Sequence, residues 1–226
     1  MSAADLLKTI PLFKVLSVKD LSELAFLLRV QRVKKGEVLF RKESEGSTLY
    51  IIQEGAIKIV LSSKLGDEVI VTLFSKGDFF GEMSLLDGMP RSADAIAMEP
   101  SRLLLLNRSD FLRFLKKSDA AMETILSSLT IRLRKTDDLL GDSSFLNIPA
   151  RFAKKLLELG ETFGQKEGDT MQISLRLSQK DLADMIGATR ESINKELRTL
   201  REKGLVSITD KAISINNVNR LRSRIR

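Results

Sequence analysis

Apolar residues recur along this chain with two different periods, and the change of period divides it. Near the start, Ser17-Val18-Lys19-Asp20 reads as an N-cap signal. It precedes Leu21, Leu24, Leu27 and Leu28, which share one helical face. A shorter helix over Asp5 to Thr9, broken by Pro11, is expected before it. From Val30 to Leu106 the period drops to that of strands. Short apolar runs centre on residues 38–40, 49–52, 57–61, 69–74, 78–80, 93–97 and 101–106. Gly-bearing turns separate them at Gly36, Gly46, Gly55, Gly66 and Gly77. Strands repeating every 8–12 residues or so predict an antiparallel sandwich or barrel-like roll.

The helical period returns at about Ser109. Met122, Leu126, Leu129, Leu133, Thr136 and Leu140 are spaced 4, 3, 4, 3, 4. That is a heptad seam, and a seam on one helix needs a surface to bury it. The surface is either a partner helix or the chain's own β-domain. Thr136 is the polar residue on the seam, a position that usually serves register or a ligand. The helix is expected to end in a hinge at Gly141-Asp142-Ser143-Ser144.

Residues 145–226 read as a smaller domain. A helix from Pro149 to Leu159, ended by Gly160, leads to a strand at Met171 to Leu175. Ser178 then caps a helix with Asp181 three residues on, and Leu182, Met185 and Ile186 form its apolar face. Gly187-Ala188 turns the chain. Thr189 caps a second helix carrying Ile193, Leu197 and Leu200, which ends at Gly204. Val206 to Ile208, a turn at Thr209-Asp210-Lys211, and Ala212 to Ile215 make a hairpin. Two helices across a Gly-bearing turn followed by a β-wing predict a winged helix-turn-helix. The fold class is therefore α+β: an antiparallel β-roll with N-terminal helices over 1–108, a long dimerisation helix and hinge over 109–144, and the winged helix over 145–226.

Composition narrows the chemistry. Cysteine and histidine are both absent from the 226 residues. No disulfide, iron–sulfur cluster, haem ligation by His or Cys, or conventional zinc site can be built, and imidazole catalysis is excluded. No apolar run reaches the roughly 20 residues that span a bilayer, and the N-terminus lacks an export signal. A cytoplasmic protein with no membrane partner is expected. Residues 145–226 hold 16 Lys+Arg and 10 Asp+Glu, so 6 of the chain's 7 net positive charges fall there. Such a surface either faces a polyanion or is simply solvated.

Two segments carry candidate chemistry. In Gly81-Glu82-Met83-Ser84-Leu85-Leu86-Asp87-Gly88-Met89-Pro90-Arg91-Ser92-Ala93, a glycine, an acid and a run of amides lie one short loop from an arginine and a serine. Those groups suit one phosphate and one sugar diol; the alternative is a surface ion pair of Glu82 with Arg91. The second segment is Thr189-Arg190-Glu191-Ser192-Ile193-Asn194-Lys195. Recognition helices read base edges with their first residues. Arg190 and Lys195 can donate to guanine, and Glu191 can accept from cytosine N4. Thr189 and Lys180, with Ser178 and Ser192 at the helix starts, can approach phosphate. The alternative for Glu191 and Lys195 is an ordinary exposed i,i+4 pair.

These residues, in this order, resemble the cyclic-AMP receptor protein/fumarate-nitrate reduction regulator superfamily of bacterial transcription regulators. The resemblance rests on residues 81–85, on Pro90 to Ala93, on Arg132-Leu133-Arg134-Lys135-Thr136, on Phe145 to Arg151 and on Leu177 to Lys195. It implies a homodimer that binds pseudo-palindromic double-stranded DNA with TGTGA-like half-sites and is not an enzyme. RNA polymerase is implied as a further partner. It also implies cyclic AMP as allosteric effector. Arg91 and Ser92 would take the phosphate, with amides at Met83 and Ser84. Glu82 would take the ribose 2′-OH, Gly81 would allow close approach, and Arg132 would bond Glu82 or the phosphate. Thr136 and Asp137 would meet the base. Asp137 stands where the best-known member has a serine. A carboxylate accepts from the adenine amino group and is less suited to a guanine carbonyl, so cyclic AMP is expected over cyclic GMP. Gln179 stands where that member has a phosphate-contacting arginine, and Lys180 is its expected substitute. The other reading is a regulator of the same fold that binds DNA constitutively, its effector pocket vestigial or given to another anion.

Overall fold

The computed structural model describes residues 7–8, 10, 13–14, 16–209 and 212–225. The expected break at Pro11, most of the expected first helix and the tip of the wing lie outside the described residues. The chain divides into two compact units, with the boundary between Arg134 and Lys135; residues 68–70 group with the second.

In the first unit, α1 (Val18–Leu27) begins where the sequence placed it, with the Ser17 hydroxyl accepting from the Asp20 amide. The strands are β1 (Arg29–Val33), β2 (Val38–Phe40), β3 (Thr48–Glu54), β4 (Ile57–Ser62), β5 (Glu68–Phe74), β6 (Phe79–Phe80), β7 (Asp94–Ala97) and β8 (Ser101–Asn107). They form two four-stranded sheets, ordered β1-β8-β3-β6 and β2-β7-β4-β5. The pairing is antiparallel throughout, with Leu49 opposite Leu106 and Ile59 opposite Ala95.

Alternation along β3 and β8 explains the two cores. Leu49, Ile51, Leu104 and Leu106 face outward to helices and pack with Phe111, Phe114, Leu115, Ala121 and Ile125. Tyr50, Ile52 and Leu103 face inward with Val33, Ile57, Phe74 and Phe80. Aromatic rings crowd this inner layer: Tyr50 and Phe74 stack on Phe80, and Phe40 leans on Tyr50 and Phe80.

Between β6 and β7 the chain makes a short helix, α2 (Glu82–Asp87), an element the sequence pattern did not mark. The expected single long helix is two. α3 (Arg108–Lys117) ends at Ser118, and α4 (Asp119–Phe145) follows. Asn107 caps α3 by accepting from the Asp110 amide. α4 continues unbroken through the residues read as a hinge. The turn comes at Leu146 and Asn147, where Asn147 caps the next helix.

Most seam residues do not cover the β-roll. Ala121 and Ile125 do that, with Leu129 partly buried against the same core. Met122, Leu126, Leu133 and Leu140 are exposed, Leu126 at 57% and Leu133 at 62%. Apart from Leu129, the seam therefore does not pack on the chain's own β-domain.

In the second unit, α5 (Ile148–Phe163) runs through Gly160. A Cβ on Gly160 would lie 2.0 Å from the Met171 sulfur, so this glycine is a packing site rather than a terminator. The strands β9 (Gly164–Glu167), β10 (Thr170–Ile173), β11 (Val206–Thr209) and β12 (Ala212–Ile215) form one antiparallel sheet, ordered β11-β12-β10-β9. α6 (Gln179–Asp184) and α7 (Arg190–Glu202) stand across the turn as expected, and α8 (Val218–Arg222) closes the unit.

Candidate functional site

The first candidate site is built around Arg91. Its loop is held in place by backbone pairing: the Arg91 amide donates to Ser44 O at 2.9 Å, and the Glu43 amide donates to Arg91 O at 2.8 Å. Asp94, buried at the start of β7, braces the same loop by accepting from Arg41 Nη1 and from the Lys42 amide. Glu43 takes a left-handed φ of 68°, an uncommon conformation for a residue with a side chain.

The Arg91 side chain turns inward and is only 4% exposed. Nη1 donates to Gly81 O at 2.7 Å and Nη2 to Thr48 O at 2.8 Å. Its guanidinium lies 4.2 Å from the centre of the Phe40 ring. Burial lowers its pKa, while the phenol of Tyr50 and the carboxylate of Glu82 oppose the shift. Burial likewise raises Tyr50, against the pull of Arg91.

Glycines make room for that guanidinium. Gly81, the N-cap of α2, has φ +83°, and a Cβ there would sit 2.7 Å from Arg91 Nη1. A Cβ on Gly46 would sit 2.6 Å from both Arg91 Nε and Ser84 Cβ. Gly46 was legible only as a turn, and the carbonyl partner Thr48 carried no signal at all.

Glu82, the first residue of α2, is 2% exposed. Its Oε1 accepts from Arg132 Nη1 at 2.6 Å. Arg132 also donates to Phe79 O and lies over the rings of Phe74 and Phe79. The Glu82–Arg91 ion pair allowed by the sequence is thus replaced: the acid pairs with Arg132, and the base bonds carbonyls. Two buried polar atoms are left without partners, the Arg91 Nε–H donor and the Glu82 Oε2 acceptor.

Other expected members sit nearby or apart. Ser84 is buried, and Met83 is exposed. The Ser92 hydroxyl is exposed and contacts the Met83 sulfur at 3.6 Å. α2 has no side-chain cap over its first amides. Thr136 and Asp137 are exposed on α4.

The second site lies on α6 and α7. Ser178 and Asp181 form a reciprocal capping box at the start of α6. Thr189 caps α7 by accepting from the Ser192 amide, and the two hydroxyls lie 3.1 Å apart. Ile193, Leu197 and Leu200 are buried, which leaves Arg190, Glu191, Asn194 and Lys195 exposed on the opposite face. Glu191 does not reach forward to Lys195. Its carboxyl is held below the usual range by its own backbone amide and the Thr189 hydroxyl. Lys180 Nζ is bound to Asp184 at 2.7 Å, which ties down the expected phosphate donor. Arg190 Nε donates to Gln179 Oε1 at 3.3 Å.

Among the described residues no cluster of acidic, His or Cys side chains could hold a metal ion, and no helix is long and apolar enough to cross a membrane.

A roll with buried polar orphans, joined through a long helix to a winged helix-turn-helix, defines the class: a transcription regulator with an effector domain and a DNA-binding domain. Residues 30–118 match the cyclic nucleotide-binding domain, and residues 150–224 match the Crp-like helix-turn-helix domain. The chain is 32% identical over 192 residues to the CRP-like cAMP-activated global transcriptional regulator of Mycobacterium tuberculosis, covering 85% of this chain and 86% of that protein. It is 31% identical over 202 residues to the cyclic AMP receptor protein of Thermus thermophilus, covering 89% and 90%. Its fold is like that of FixK2 from Bradyrhizobium japonicum, with a TM-score of 0.78 at 20% identity over 88% of this chain and 98% of that one. The chain belongs to the cyclic-AMP receptor/fumarate-nitrate reduction regulator superfamily.

Proposed function

We propose that this regulator is a cytoplasmic homodimer that takes cyclic AMP as effector and binds a pseudo-palindromic operator with TGTGA-like half-sites, where it contacts RNA polymerase. The observation that carries the effector reading is the pair of buried orphans. Arg91 Nε–H needs an acceptor, and Glu82 Oε2 needs a donor. A cyclic nucleotide offers both, an anionic phosphate and a ribose 2′-OH, and a buried polar atom left unsatisfied costs about 1–3 kcal/mol. In this reading Arg91 and Ser92 hold the phosphate with the amides of Met83 and Ser84. Gly81 keeps the backbone clear, Arg132 fixes the Glu82 carboxylate, and Thr136 and Asp137 choose the base. The relatives named for cyclic AMP point the same way.

The DNA reading rests on the exposed start of α7. Ser178, Thr189 and Ser192 set the helix starts, and Arg190, Glu191 and Lys195 face outward from the core. Lys180 is the weakest member, since Asp184 already holds it.

A second reading has its own support. Two edges of the Arg91 guanidinium are bonded to Gly81 O and Thr48 O. On that reading Arg91 is a structural post, and DNA binding needs no cyclic nucleotide. Calorimetry with cyclic AMP and cyclic GMP separates the two. The effector reading expects heat with cyclic AMP, weaker heat with cyclic GMP, and neither with Arg91→Ala protein that still binds DNA. No heat with either nucleotide leaves the second reading.

A further inference from the structure

Gln179 and Arg190 are the first residues of α6 and α7, and the fold fixes both backbones. Ser178 and Asp181 close a capping box beneath Gln179. Thr189 caps α7 beneath Arg190. Leu182 and Ala183 of α6 and Ile193 and Leu197 of α7 are buried in the core of the unit. Across the turn the half-buried Gln179 presents its amide oxygen to Arg190 Nε at 3.3 Å.

From this geometry we infer that Gln179 is a positioning residue: it aims Arg190 at a guanine rather than touching DNA phosphate itself. The inference rests on the DNA-binding reading above and deepens it. A single exposed hydrogen bond adds little to stability in water. Its consequence is direction. Arginine is a long side chain with many rotamers, and the entropy lost in ordering it weakens binding unless it is ordered beforehand. A bond at Nε fixes the plane of the guanidinium. It leaves both Nη groups free, and these form the end-on fork that matches guanine O6 and N7. Gln179 thus has a use that does not depend on replacing a cationic phosphate contact.

The two roles demand opposite things of Gln179. As a positioning group it must accept a hydrogen bond. As a phosphate contact it must donate one. Gln179→Met keeps the length and removes the acceptor; Gln179→Glu keeps the acceptor, charges it and removes the donor. The experiment selects bound duplexes from a randomised pool with the full-length protein, with and without cyclic AMP. The enriched duplex and its single-base variants are then titrated.

Arg190→Ala should abolish the preference for one guanine. Gln179→Met should lower that same preference about fivefold and leave the other positions and non-specific affinity unchanged. Gln179→Glu should retain it, with weaker binding to every duplex. In the absence of DNA, the Arg190 Nε–H resonance should shift in Gln179→Met, which removes the acceptor, whereas the Gln179→Glu protein should keep a hydrogen-bonded signal. The inference is overturned if Gln179→Met leaves the guanine preference intact, if it weakens all duplexes equally, or if Gln179→Glu behaves as Gln179→Met. Failure of the parent reading looks different: the wild-type protein would enrich no sequence, or Arg190→Ala would lose no base preference.

Discussion

Glu82 is the most demanding residue in the first unit. A carboxylate 2% exposed is tolerated because Arg132 reaches it at 2.6 Å. Removing one partner of a buried pair leaves an uncompensated charge, which costs more than the pair itself contributes. Arg132→Ala should therefore destabilise the protein by about 3 kcal/mol in urea unfolding, near the low end because Arg132 is partly exposed. Adding Glu82→Gln should recover part of that loss. Equal loss in the single and double variants would instead assign the cost to the packing of Arg132 over Phe74 and Phe79. The sequence marked Glu82 and Arg91 by type and spacing and Arg132 through the family resemblance, and the structure sets Arg132 on Glu82 beside the buried Arg91. What it could not give was the pairing. Spacing cannot tell whether Arg91 meets Glu82 or the carbonyls of Gly81 and Thr48, because a backbone acceptor has no sequence identity. Gly46 was hidden for a related reason: the need for it lies in the Arg91 side chain, 45 residues on.

At the scale of elements, periodicity was a sound guide where one face is buried and a poor one where glycine or length intervened. β2 to β8 start within a residue of where the apolar runs place them, and both helices of the DNA-binding motif start at their caps, whereas β1 (Arg29–Val33) carried no run of its own. Gly160 misled because a glycine inside a helix looks like a stop until Met171 is seen against it. α2 and α8 are too short, at 6 and 5 residues, for a helical period to register. The seam on α4 is the most informative element. Ala121 and Ile125 show which face packs on the roll, and the exposed Leu126 and Leu133 form the face that the proposed homodimer would cover. Leu126→Asp with Leu133→Asp should halve the mass measured by sedimentation while leaving the far-ultraviolet spectrum of the chain unchanged. Loss of helix signal without a change in mass would show that these leucines stabilise the chain itself and not a dimer.

For the whole molecule, the decisive question is whether effector and operator are coupled. The two readings of Arg91 differ here and nowhere else so cleanly. If cyclic AMP and DNA bind one common state better than another, each must raise the affinity for the other by the same factor. Allosteric couplings are typically a factor of about 5–150, or 1–3 kcal/mol. The charge asymmetry sets the conditions for measuring it. With 6 of 7 net positive charges in residues 145–226, DNA affinity will fall steeply with salt through counterion release, at a slope of about 0.9 per phosphate neutralised. The proposed effector, held through Arg91 and Glu82 outside residues 145–226, should raise operator affinity while leaving that slope almost unchanged. Two titrations at one salt concentration test the linkage: operator binding with and without cyclic AMP, and cyclic AMP binding with and without operator. Matching factors establish an allosteric switch. Tight operator binding with a factor of one in both directions makes the chain a constitutive DNA-binding protein whose ligand site is uncoupled, and tight operator binding with no cyclic AMP binding at all assigns Arg91 to structure. Unequal factors would mean that the two titrations sample different assemblies, and sedimentation of the Leu126→Asp, Leu133→Asp protein under each condition would then identify the dimer as the variable that differs.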